Sequence, residues 1–158
     1  MEMMQAMQNE IHTTSSILHT VVVENEIPYA QWIQLKNGFE AIERSSYELE
    51  KMGRAIHPRQ AQGLQNATKT TSHLIVNQLN DLEDHFLDPN MDRLDIVTFP
   101  LEAHSILELI YDATFSWKEI SSHYHVTTNS IHRTYWVDMM KEMQEPSILF
   151  QHHYLRTS

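Results

Sequence analysis

The chain has 158 residues, 41% of them hydrophobic, with no cysteine and a formal net charge of −10. That length suffices for one domain with a proper core, and the missing thiols exclude disulfides, zinc–thiolate sites and cysteine nucleophiles. Three glycines and five prolines leave little material for the turns of an all-β fold, so an all-α class is expected, and 21 acidic against 11 basic residues argue against broad coating of nucleic acid.

The first twenty residues, with Met3, Met4, Met7, Ile11 and Leu18 apolar, suit a short helix ahead of the β-branched run Val21–Val22–Val23. Pro28 stands where helices commonly start. From there to Gly53, Trp32, Leu35, Phe39, Ile42 and Leu49 fall at alternating spacings of three and four, with Ser46 filling the one polar seam position. Such a stripe over about three heptads is suited to helix pairing, either in an intramolecular hairpin or, in coiled-coil fashion, as the interface of a homo-oligomer, a dimer in the first instance. Gly53 and Pro58 bracket a break. A second helix is expected from about Pro58 to Phe86, apolar on the face of Ile75, Leu79, Leu82 and Phe86, with a polar opening, Gln60–Thr71, expected to face solvent. The two helices would form an antiparallel hairpin over residues 1–87. Asp88–Pro89–Asn90 signals a turn. Residues 88–100 read as a linker in which Ile96–Val97 is too brief to argue a sheet.

Beyond Pro100, the apolar residues Leu101, Ile106, Leu107, Leu109 and Ile110 define a helix expected to end near Asp112. Ala113–Thr114–Phe115 would connect it to Ser116, an N-cap residue with Glu119 at the capping-box spacing, opening a helix from Trp117 to Tyr124. His125–Val126–Thr127 forms a turn, and Thr128–Asn129–Ser130 begins the next helix, with Ile131, Tyr135 and Met139 facing inward. The run Glu119–Ile120–Ser121, Tyr124, His125–Val126–Thr127 and Ile131–His132–Arg133 resembles the helix-turn-helix of sigma-factor region 4 and of small phage regulators of the ArpU and RinA families. It departs from that pattern at His125, where the turn favours glycine, and at Tyr124 in place of leucine. The resemblance covers residues 101–145, a three-helix domain, and implies a sequence-specific, double-stranded DNA-binding regulator of transcription, phage or prophage in type, acting as a dimer without catalysis. Carried over by position, Thr128, Asn129, Ser130, His132 and Arg133 would read base edges, as asparagine does adenine and arginine guanine. Ser116, Lys118, Thr127 and Trp136 would meet the backbone.

Residues 101–145 carry three basic and seven acidic side chains, which opposes that reading; Glu119, Asp138 and Glu142 ringing Thr128–Arg133 would defeat it, and a basic face with acids segregated behind would favour it. The alternative is an acidic helical adaptor, or a phage assembly or DNA-packaging protein, that uses the motif for packing. No Gly-x-Ser-x-Gly, Walker or dinucleotide-binding pattern occurs, so neither enzymatic chemistry nor a cofactor or small-molecule substrate is expected. His123, His125 and His132 lack the spacing of a metal site, and the acids between His73 and His85 (Asp81, Glu83, Asp84) are expected to face water. Met1–Glu10 is polar rather than signal-like, and no run reaches the roughly 20 apolar residues of a membrane span. A cytoplasmic protein without membrane contact is therefore expected. The apolar content of 146–158 suggests a segment packed back on the domain.

Overall fold

The computed structural model describes residues 2–124 and 135–157. Its elements are α1 (Glu2–Glu24), β1 (Glu26–Pro28), α2 (Tyr29–Ile56), α3 (Ala67–Phe86), β2 (Ile96–Thr98), α4 (Leu101–Ser121), α5 (Tyr135–Glu142) and α6 (Gln144–Thr157). This is an all-α fold with one two-stranded ribbon.

Helix α1 does not stop before the valines. Met4, Met7, Ile11, Leu18 and Val21 share one buried stripe, so the burial of Val21 outweighs the modest helix cost of a β-branched residue. The helix ends at Asn25, whose φ of 58° is tolerated by asparagine. That side chain then ties the end of α1 to the start of α4. Asn25 Nδ2 donates to the Phe99 carbonyl at 2.9 Å, and His104 Nε2 lies 2.8 Å from Asn25 Oδ1.

No side chain caps α2, yet its first amides are satisfied. Tyr29 N donates to Asp95 O at 2.7 Å and Ala30 N to Arg93 O at 3.0 Å, groups that a helix start otherwise leaves without partners. The supposed linker 88–100 thus caps α2. It also forms β2, pairing antiparallel with β1 in the register Ile27↔Val97, and buries Val97 and Phe99. The brief Ile96–Val97 stretch makes a strand because a neighbour completes it.

The α2 stripe closes on its own chain. Trp32, Leu35, Phe39, Ile42 and Leu49 are each 0% exposed, so the five residues assigned to oligomerisation are consumed by intramolecular packing. Helices α2 and α3 run antiparallel, with Lys36 opposite Glu83, Glu43 opposite His73 and Ser46 opposite Asn66. The helix expected from Pro58 begins only at Ala67. Gly63 (φ 82°) and Asn66 (φ 45°) adopt left-handed backbone that a helix interior does not admit, and Asn66 Oδ1 then caps α3 by accepting from Lys69 N at 3.3 Å. The polar opening is divided: Gln60, Gln62, Gln65 and Thr70 are exposed, whereas Thr68 and Thr71, with the adjoining Ser72, are fully buried.

Two glycines of α2 predict opposite outcomes. A Cβ on Gly38 would stand 2.5 Å from Thr14 Cγ2, where α1 crosses closely, whereas one on Gly53 would meet Trp136 at an ordinary 3.5 Å. Gly53→Ala is expected to stabilise by up to about 1 kcal/mol through helix propensity. Gly38→Ala is expected to destabilise by about 1–3 kcal/mol from overpacking. Urea melts of the two variants read the signs directly.

Glu83, expected in water, is half-buried instead. It accepts from Tyr29 Oη at 2.8 Å and from the Lys36 ammonium. Burial pushes its carboxyl up, but the hydrogen bonds from Lys36 and Tyr29, with the Lys36 charge, outweigh burial and hold it below its ordinary value. A depressed carboxyl stabilises the fold above its unfolded pKa of about 4.3, and that contribution is lost as pH falls through the folded pKa. Glu83→Gln is therefore expected to cost about 1–3 kcal/mol at neutral pH. Melts at stepped pH should show the deficit shrinking below pH ~4.

The largest departure from expectation is α4. It runs unbroken from Leu101 to Ser121, so there is no helix end near Asp112 and no N-cap at Ser116. Ala103, Leu107, Ile110, Thr114, Trp117 and Ser121 are all buried at alternating spacings of four and three, one continuous seam against α1. Thr114 fits because its hydroxyl donates to Ile110 O at 2.7 Å. Helix α6 then packs on α3 and α4. One buried cluster runs from Met4 to Phe150, so residues 101–145 share a core with the hairpin. No helix among the described residues is long and apolar enough to cross a membrane.

Candidate interaction surface

Helices α2 and α4 both end at the pole of the bundle where α1 begins. There Gln8 Nε2 donates to Ser121 O and to Tyr124 O, each at 3.0 Å. It satisfies carbonyls that a helix C-terminus leaves unpaired and fixes the point where the chain enters residues 125–134. On the far side of that segment Trp136, 0% exposed, seats against Gly53 and the His57 ring, whose centroid lies 6.1 Å away. Residues 125–134 are thus bracketed by two anchored points of one scaffold.

The charge around the anchors is mixed. Asp138 and Glu142 are exposed on α5, and Glu119 is exposed on the last turns of α4. The Tyr124 hydroxyl is pushed up to about 12 by burial, by its hydrogen bond to Glu142, and by the charges of Glu142 and Asp138. It remains a hydrogen-bond donor at neutral pH.

The residues assigned to DNA fare unequally. Trp136 is core, not a backbone contact; the Gly53 seat swallows its ring. Ser116 lies half-buried in mid-helix, lining a cleft with Pro146 and Phe150 of α6. Lys118, two residues on, is rotated about 200° from it on the helix, so these two do not share a face. Thr127, Thr128, Asn129, Ser130, His132 and Arg133 lie outside the described residues. Among the described residues no group of three or more histidines or acids is placed to hold a metal ion. No family model, curated protein or solved structure matches the chain.

A feature missed in the sequence is the division of charge along the bundle. Five of the 11 lysines and arginines (Arg44, Lys51, Arg54, Arg59, Lys69) fall within residues 44–73, with only Glu48 and Glu50 as acids there. This stretch is the end of α2, the following connection and the start of α3, against which Trp136 sits. At the opposite pole, residues 81–102 carry seven acids and only Arg93. The two poles are separated by the length of α2, about 42 Å, several Debye lengths at physiological salt. The overall −10 conceals a basic stretch of net +3, which Glu119, Asp138, Glu142 and Glu145 largely offset at the same pole. Helical spacing of Arg44, Tyr47, Lys51 and Arg54 is the signal that would have revealed it.

Proposed function

We propose that the protein is a non-catalytic, sequence-specific DNA-binding regulator of transcription in which residues 125–134 do the reading. The observation that carries this is the helix-turn-helix resemblance of a segment that leaves the scaffold beside the basic stretch 44–73, with exposed Glu119, Asp138 and Glu142 flanking its two ends. Anchoring by Gln8 and by the Trp136 seat supports it further, since a reading element needs a rigid mount. Departing from the sequence expectation, the scaffold is a long α4 rather than a separate three-helix domain. Any dimer that spans two half-sites about one DNA turn apart would use a surface other than the α2 stripe. The resemblance points to a phage or prophage setting.

A second reading, an acidic adaptor, is favoured by one observation. The exposed face of α5 presents Asp138 and Glu142, which suits a basic protein partner better than phosphate.

Selection of bound duplexes from random DNA, at low and physiological salt, separates the two. Enrichment of a sequence is expected, and Arg133→Ala should cost about 1–3 kcal/mol of discrimination at one base pair. No enrichment at either salt concentration would favour the adaptor.

A further inference from the structure

We infer that the valley along α4 and α6 receives an amphipathic helix of a partner protein, apolar on the side that enters and flanked by lysine or arginine. A docking site of this kind adds to either function proposed above. Two clefts meet at Leu109 to form the valley. One, of about 110 Å³, lies between α4 and α6 and is lined by Pro146, Leu149 and Phe150. The other, of about 500 Å³, opens where Tyr154 of α6 meets Leu82 of α3 and Ile106 of α4. From Glu102 to Ser116 the valley follows α4 for about 21 Å, roughly four helical turns. Leu82 and Phe150 are buried at its floor, Ile106 and Leu109 are half-buried on its wall, and Leu149 is 55% exposed on its rim.

The charge on its walls is one-sided. Glu108 and Asp112 are exposed along α4, and Glu102 faces the larger cleft. No lysine or arginine precedes Lys118 on that helix. On α6 the exposed charges are Glu145 and Arg156, with His152 and His153 between them. Among the described residues none of Glu102, Glu108, Asp112 and Glu145 forms an ion pair; the pairs present lie on α2 and α3. The valley is thus an apolar floor bordered by unpaired carboxylates and a single guanidinium.

The occupant follows from these two features. Helices satisfy their backbone amides and carbonyls internally, so α4 and α6 offer no edge on which an extended chain would pair. An incoming helix satisfies its own backbone and presents side chains at i, i+3, i+4 and i+7 to the apolar floor. Lysines or arginines beside that face meet Glu102, Glu108 and Asp112, which sets orientation and partner choice. A second copy of this chain is disfavoured, because a two-fold contact here sets the same carboxylates against one another. Nucleic acid meets the same repulsion.

The probe is a labelled peptide of about 14 residues, four helical turns, with leucine at the a and d heptad positions and lysine elsewhere. A control peptide carries glutamate in place of every lysine. Fluorescence anisotropy at physiological salt is expected to show saturable binding of the lysine peptide, about tenfold or more tighter than the control. Glu102→Gln with Asp112→Asn should weaken it about 3- to 10-fold, and Leu149→Ser about fivefold. Glu40→Gln with Glu48→Gln removes the same charge from α2, outside the valley, and should leave the affinity unchanged. All three valley residues are exposed, and thermal melts confirm that the variants are folded. Equal weakening by the α2 pair, or none by either valley variant, would mean adsorption by net charge and overturn the site. Equal binding of the glutamate peptide overturns the basic partner. Absence of lysine-peptide binding overturns the docking site, and self-association lost in Leu149→Ser would then assign the valley to a second copy.

Discussion

Replacing Trp117 by alanine is expected to cost about 3–5 kcal/mol and to free α6 from the bundle. The indole is fully buried on α4, and its Nε1 donates to Ser147 Oγ at 2.9 Å. That hydroxyl lies 3.3 Å from Thr68 Oγ1 of α3 and donates to Met143 O at 2.6 Å. One serine of α6 thus joins α4 to α3. Thr71 Oγ1 donates to Ser147 O at 2.9 Å and lies 3.0 Å from Gln151 Nε2, which extends the same network along α6. Deleting the ring leaves a cavity and also strands polar groups that were paired inside it. For a chain of this size the loss corresponds to a fall in Tm of about 6–20 °C. A double-mutant cycle of Trp117→Phe with Ser147→Ala isolates the hydrogen bond, and a coupling of about 0.5–1.5 kcal/mol is expected. Additive single effects would show that the serine docks α6 without help from the indole.

The sequence made some of this legible and hid the rest for identifiable reasons. Large apolar residues at regular spacing mark α2, and burial follows the stripe because nothing smaller or more polar interrupts it except Ser46. Along α4 the same seam is equally regular, but Ala113, Thr114 and Ser116 make it look like a connection between two helices. Ser116 and Glu119 also reproduce a capping box by spacing alone. What decides the matter is that Thr114 satisfies its hydroxyl within the helix, and that neither glycine nor proline occurs between Leu101 and Ser121. The polar run before Ile75 was misread for a related reason. Threonine and serine look solvated until a second hydroxyl arrives, and Ser147 lies far along the chain. The ribbon was invisible because β1 and β2 have three residues each, too few for a period-two pattern. Within the site, a net charge of −10 masked the basic stretch 44–73, because a sum carries no information about position.

Trp136 supplies the second large effect, and it bears on how the proposed reading segment is mounted. If the indole touched DNA from the surface, Trp136→Ala would weaken binding and leave the melting curve in place. Burial against Gly53 and His57 predicts the reverse order, a loss of about 3–5 kcal/mol of stability, with faster amide exchange in the last turn of α2. The comparison with phenylalanine sharpens the point. Among the described residues Trp136 Nε1 has no hydrogen-bond partner, whereas Trp117 Nε1 has one, so Trp136→Phe should cost about 1 kcal/mol less than Trp117→Phe. The exchange pattern separates their roles as well: Trp117 holds α6 to α3 and α4, while Trp136 holds α5 to the basic end of α2. Loosening the latter should release the start of α5 from the end of α2. Under the proposed DNA-binding function, sequence discrimination should then decline even at temperatures where the rest of the bundle remains folded. A Trp136→Ala variant that melts with the wild type and keeps its exchange protection would refute this seat and return the indole to the surface.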